Sequence, residues 1–189
     1  MPLSDPAPRE PIHTRHIECR GFKRDDGNWD IEGHMIDVKS YAFTNHWRGE
    51  ILPGTPLHQM WVRITVDRTL TILEIEAVTD HAPFRVCPDI TPNFQRLKGL
   101  RIGAGFNGKV KELVGGTEGC THIVELMGPI ATTAFQTMAG QRRSSDKPRD
   151  PNKPRRRPPM IDTCHAFASD GEVVRIEFPE FYTGETPAS

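Results

Sequence analysis

The chain has 189 residues, 36% hydrophobic and 26% charged, with 24 Lys and Arg nearly balanced by 25 Asp and Glu. That length suits one domain, or one domain and a tail, able to bury a real core. No apolar run reaches the roughly 20 residues of a membrane span, and Met1 to Glu10 lack the apolar core of a signal peptide; a cytoplasmic protein with no membrane contact is expected.

Residues 1–12 read as a loose arm. His13-Thr14-Arg15-His16 follows, with two histidines three positions apart. On a helix that spacing makes a metal face; in strand-like surroundings it predicts surface or substrate-contacting side chains. His16 to Lys23 and Asn28 to Val38 flank Asp25-Asp26-Gly27, and Asp-Gly between such runs predicts a hairpin. Thr44 to Pro56, punctuated by Gly49, Pro53, Gly54 and Pro56, reads as a loop. Met60, Val62, Ile64 and Val66 then alternate with Trp61, Arg63 and Thr65, giving a strand with one buried face. A turn at Asp67-Arg68-Thr69 leads to a fourth strand over Leu70 to Val78.

The period changes after Cys87. Thr91-Pro92 has the form of a helix start, a hydroxyl N-cap with proline following. Phe94 and Leu97 supply its apolar face, and Gly99 ends it. A second helix is predicted over Phe106 to Val114, with Phe106, Val110, Leu113 and Val114 on one stripe and Gly115-Gly116 beyond. A third runs from about Gly119 to Met138, its stripe made of Ile123, Met127, Ile130, Ala134 and Met138, with a kink expected at Pro129. Residues 141–158 hold eight Lys and Arg against two Asp, leaving the rest of the chain acidic. Prolines and serines interrupt this stretch and no aromatic residue does, so it reads as a solvated, disordered linker and not as a nucleic-acid arm. Val173, Val174, Ile176 and Phe178 predict a last strand.

The expected fold is therefore α+β. An antiparallel sheet of hairpins is followed by three helices packed on one face, with a late C-terminal strand. The main domain spans 1–140, the basic disordered linker 141–158, and a C-terminal segment, 159–189, returns to the main domain.

The chemistry is concentrated in four cysteines and their neighbours. Cys19, Cys87, Cys120 and Cys164 read as reduced thiols or ligands and not as a disulfide framework. Cys120 opens the third helix, where free N–H groups and the helix dipole favour thiolate, and His122 stands two residues on. Cys87 follows the sheet. His58 begins the third strand and Asp80 ends the fourth, so antiparallel pairing is expected to bring those two together. Thiolate, imidazole and carboxylate donors suit zinc or iron. Cys164-His165 forms a further thiol–imidazole pair. Gly103 to Lys109 fits GxGxxG and nearly fits a phosphate loop. It lacks the hydroxyl after the lysine and the strand after the helix, and reads as a flexible entry to the second helix.

Three functions follow as expectations. The first is a metal-binding protein holding zinc or iron at Cys87, Cys120 and His122 with His58 or Asp80. The second is a thiol-dependent enzyme acting on a small molecule, with Cys120 as nucleophile and His122 as base. The third is a non-catalytic binding or accessory module, its partner a protein or a small molecule, whose cysteines belong to the core.

Several runs also carry a family resemblance. Pro11-Ile12-His13-Thr14-Arg15, Trp29-Asp30-Ile31-Glu32-Gly33-His34, Cys87-Pro88-Asp89-Ile90-Thr91-Pro92 and Glu118-Gly119-Cys120-Thr121-His122 resemble the bacterial family catalogued as domain of unknown function 2889. The likeness covers most of the chain outside the basic linker, and it implies no activity. The order of hairpins, cysteine, helices and a Cys/His site opening a long helix is similar to iron–sulfur cluster assembly scaffold proteins. That likeness implies ligands at His58, Cys87 and the Cys120/His122 pair. The chain departs from those proteins in its histidine at the first place, in Thr121 between the last two, and in the inserted His81 to Val86.

Overall fold

Two hairpins, joined edge to edge, build the sheet. A computed structural model describes residues 3–144 and 156–185, which fall into two compact units within 1–145 and 146–189. In the first unit, β1 (His13–Lys23) pairs antiparallel with β2 (Trp29–Lys39) across a turn in which Gly27 has φ +86°, a conformation open to glycine at little cost. Residues 43–51, all but the first inside the expected loop, form a small hairpin of β3 (Phe43–Asn45) and β4 (Gly49–Ile51). Asn45 closes it, its side-chain oxygen accepting the N–H groups of Trp47 at 2.8 Å and Arg48 at 3.2 Å. β5 (Pro56–Val66) and β6 (Ile72–His81) complete a four-stranded sheet in the order β1-β2-β5-β6.

The β5–β6 turn rests on Asp67. One carboxylate oxygen accepts the backbone N–H groups of Thr69 at 2.8 Å and Thr71 at 2.9 Å and the Thr69 hydroxyl at 2.8 Å. These bonds hold the backbone through Leu70, a non-glycine residue at φ +66°. Partial burial pushes the Asp67 carboxyl up, but the bonds from Thr71 and Thr69 and the Arg101 charge outweigh it and lower its pKa. A carboxyl lowered on folding stabilises the protein above its unfolded value of about 3.9 and loses that effect as pH falls through the folded value. Asp67→Ala is thus expected to cost about 1 kcal/mol at neutral pH. Urea titrations at about pH 7 and about pH 3 should show that cost shrinking on the acid side.

β2 alternates buried and half-buried residues along nearly its whole length, and Trp29, Ile31 and Met35 line the same face as Met60, Val62 and Ile64 of β5. The helices cover that face. Residues Cys87–Leu97 form tight 3-10 turns in place of an α-helix beginning at Thr91. In a run that begins at Cys87, Pro92 has no N–H to give the Pro88 carbonyl, and the Thr91 hydroxyl donates to that carbonyl instead at 2.9 Å. Phe94 and Leu97 are buried, as their spacing predicts. Then come α1 (Phe106–Val114) and the long α2 (Thr121–Ser144), which runs through Pro129 as a single element. Its whole predicted stripe, Ile123, Met127, Ile130, Ala134 and Met138, is fully buried together with Leu126.

Two glycines bring α2 close to the sheet. A Cβ on Gly33 of β2 would stand 2.7 Å from two side-chain carbons of Ile130, and one on Gly21 of β1 would overlap Thr137. Sheet and helix therefore meet nearly backbone to side chain at these points. Among the described residues no helix is long and apolar enough to cross a membrane.

In the second unit the expected late strand is a short helix, α3 (Glu172–Glu177). Val174 is buried while Val173 and Ile176 are exposed, and the described residues there offer no strand for these β-branched residues to pair with. Gly171 at its start and Glu172 in its first turn suit a helix N-terminus. Most of the basic linker, residues 145–155, lies outside the described residues; residues 141–144 end α2, and Arg156 and Arg157 are exposed.

Candidate functional site

The inward face of β2 reads Trp29, Ile31, Gly33, Met35 and then Asp37, a carboxylate where the pattern asks for an apolar side chain. Cross-strand pairing places Arg15 of β1 opposite it on one side and His58 of β5 on the other. Directly paired residues share a face, so Arg15, Asp37 and His58 form a row across three strands. A bulge follows at once, with Val38 pairing with Pro56 and Leu57 left over. The row thus lies where the regular sheet ends.

Asp37 is 1% exposed and fully engaged. Arg15 donates to both oxygens, Nε to Oδ1 at 2.7 Å and Nη2 to Oδ2 at 2.8 Å, the forked geometry that suits a carboxylate. His58 Nδ1 stands 3.1 Å from Oδ2, and His13 Nε2 stands 3.3 Å from Oδ1. The first turn of α2 supplies His122, with Nε2 3.9 Å from Asp37 Oδ2 and its ring 3.9 Å from that of His58. Arg15 is shared with α2, its Nη1 donating to Glu125 Oε2 at 3.1 Å. One ligand atom each from Asp37, His58 and His122 lies within 4.8 Å of the others.

The electrostatics divide the roles. Burial pushes the Asp37 carboxyl up, but the hydrogen bonds and charge of Arg15, with the neighbouring imidazoles, bring it below the ordinary value. Burial is the main cause that lowers both imidazoles, joined at His58 by His122 and at His122 by Arg15, and outweighing the pull of Asp37. An ionised carboxylate therefore faces two imidazoles biased toward the neutral, electron-pair-donating form.

The residues named from sequence are distributed as follows. His58 and His122 converge. Cys120 is the N-cap of α2, its carbonyl accepting the Val124 N–H at 2.9 Å, and its Sγ lies 3.9 Å from Nδ1 of His122. Asp80 is not brought to His58: a bulge in β6 pairs Gln59 with His81 and Met60 with Thr79, leaving Asp80 over. Its carboxylate accepts the Trp61 indole N–H at 2.8 Å, and Trp61 projects from the opposite face of β5 to His58. Cys87 is half-buried at the start of the 3-10 turns and does not contribute to the converging set. Cys164 is exposed in the second unit.

The sequence motifs single out neither Asp37, Arg15 nor Glu125, and they mark His13 only as a surface or substrate-contacting residue. A signal for Asp37 was present, since an acidic residue on the buried parity of an alternating strand marks a paired, buried charge.

These features define an α+β protein whose helix-covered antiparallel sheet carries a buried carboxylate ringed by imidazoles and one guanidinium. Residues 13–136 match the family described as "Protein of unknown function (DUF2889)", and the chain belongs to that family. The match begins at His13 and spans every residue of the Asp37 cluster. No curated protein and no solved structure matched the chain.

Proposed function

We propose that the protein binds a single divalent metal ion, zinc or iron, through Asp37, His58 and His122. The observation that carries this reading is the convergence of their three ligand atoms within 4.8 Å. Atoms bonded at about 2 Å to a common ion stand no more than about 4 Å apart, so small ring rotations close the set. Two imidazoles and a carboxylate suit zinc or iron and leave coordination positions for water or substrate. Iron–sulfur clusters need thiolates in the main, and nitrogen and oxygen donors favour a mononuclear ion. Arg15 supports this role for Asp37. It takes one lone pair from each oxygen and orients the carboxylate, so that the Oδ2 edge facing His58 can turn from that imidazole to an ion. Cys120 then acts on the other nitrogen of His122, orienting the ring as an outer partner to a ligand and not as a fourth ligand.

A second reading rests on the same imidazole. Cys120, His122 and Asp37 stand in the order nucleophile, base and orienting carboxylate of a thiol-dependent enzyme, with both gaps at 3.9 Å. Those gaps exceed the roughly 2.6–3.2 Å of a working relay, which is why the metal reading comes first.

Metal content of protein purified without chelator, measured by mass spectrometry, separates the two. About one equivalent of zinc or iron is expected in the native chain, lost in His58→Ala and His122→Ala and kept in Cys120→Ser. Protein that stays metal-free on incubation with either ion, while Cys120 alkylates rapidly with iodoacetamide, would replace the metal with the thiol chemistry.

A further inference from the structure

A cavity of about 170 Å³ lies beyond the end of β6, among residues the Asp37 cluster does not use. Trp47 and Arg48 reach it from the β3–β4 turn, Thr79 and Asp80 from β6, and Phe84 and Arg85 from the segment before Cys87. Its size matches one aromatic ring, since an apolar cavity of roughly 150 Å³ takes benzene.

Two observations point to its occupant. Trp47 and Phe84 are each half exposed at its walls, an arrangement that costs solvation unless something flat covers the rings. Among the described residues Arg48 and Arg85 form no ion pair; Arg48 uses Nη1 on the carbonyls of Pro56 and Leu57, and the Arg85 guanidinium makes no hydrogen bond to any of them. Asp80 supplies one opposing charge, already engaged with the Trp61 indole, so the two guanidiniums leave the cavity net positive.

We propose that this cavity binds a small planar carboxylate, its ring between Trp47 and Phe84 and its anion on Arg85 and Arg48. Apolar walls with a few converging polar groups are the usual form of such a site. Guanidinium groups match a carboxylate in charge and in forked geometry. The site stands independently of the metal centre.

Benzoate is the probe, titrated into the full chain by calorimetry with chemical-shift mapping in parallel. Saturable binding at one equivalent is expected, with shifts at Trp47, Phe84 and Arg85. Arg85→Gln, which breaks no internal bond, should weaken it about tenfold or more, equivalent to about 1.4 kcal/mol. Benzyl alcohol, without the charge, and acetate, without the ring, should each bind about tenfold more weakly than benzoate. His58→Ala should leave benzoate affinity unchanged, which keeps this result separate from that of the metal site. The proposal is overturned if millimolar benzoate gives no saturable binding, if folded Arg85→Gln binds as the native chain does, or if acetate binds as well as benzoate.

Discussion

Asp37→Ala is expected to destabilise the protein by about 2–3 kcal/mol and to abolish metal uptake. The carboxylate is 1% exposed and holds the fork of Arg15 with two short bonds, while His13 and His58 lie against its remaining edges. Removing it leaves the guanidinium and two imidazoles without the anion they surround. Breaking a wholly buried pair costs roughly 3–5 kcal/mol. The Arg15 side chain is 32% exposed and recovers some hydration, which sets the lower figure. Arg15 also keeps its bond to Glu125, so the guanidinium is not left wholly unpaired. Asp37→Asn should cost less, because the amide fills the same space and accepts one of the two bonds. Urea unfolding of both variants beside the native chain measures the difference. A loss under about 1 kcal/mol would mean that the pair behaves as a surface ion pair and water reaches it freely.

Phe94→Ala is expected to cost still more, about 3–5 kcal/mol. Phe94 is almost wholly buried in the 3-10 turns before α1. Its ring reaches Gly119, the residue just ahead of Cys120, with Cζ 3.4 Å from where a Cβ on that glycine would stand. Its neighbours latch the same turn: Asn93 donates to the Glu118 carbonyl at 3.1 Å, and Arg96 to the Glu118 carboxylate at 2.9 Å. The exposed Arg96 pair contributes little, so the ring carries most of the contact. Truncation leaves a cavity beneath the turn from which α2 starts, and His122 sits in the first turn of that helix. The variant should therefore lose affinity for metal as well as stability. Native-like metal affinity in a folded but destabilised Phe94→Ala protein would show that His122 is positioned from the sheet side instead.

The two variants test different supports of one site. Asp37 is held from below by the sheet, through pairing that aligns it with Arg15 and His58. His122 is held from above, through the packing of α2 on Gly21 and Gly33 and through the Phe94 turn. Two elements fixed by separate contacts position their shared site closely only if both sets hold.

The sequence by itself determined most of the elements and the faces they bury. Alternation in β5, Asp-Gly between β1 and β2, and the stripe of α2 are local patterns set by backbone period and turn chemistry, and the structure follows them. Where local chemistry was mixed, the structure went another way. The expected first α-helix became 3-10 turns that begin at Cys87 and carry Pro92 inside them, and the β-branched run at Val173 formed α3 with no strand beside it among the described residues. Only the tertiary structure decided which polar groups meet. Arg15 and Glu125 are 110 positions apart, and Asp37 and His58 are 21 apart. Their meeting depends on strand register and on how closely a helix can approach two glycines. Asp80 shows how fine that control is: it follows Thr79, which pairs with the inward-facing Met60, so alternation alone turns the carboxylate expected beside His58 toward Trp61 on the other face. Register and docking distance are summed over many weak contacts along whole elements, and so no short stretch of sequence encodes them.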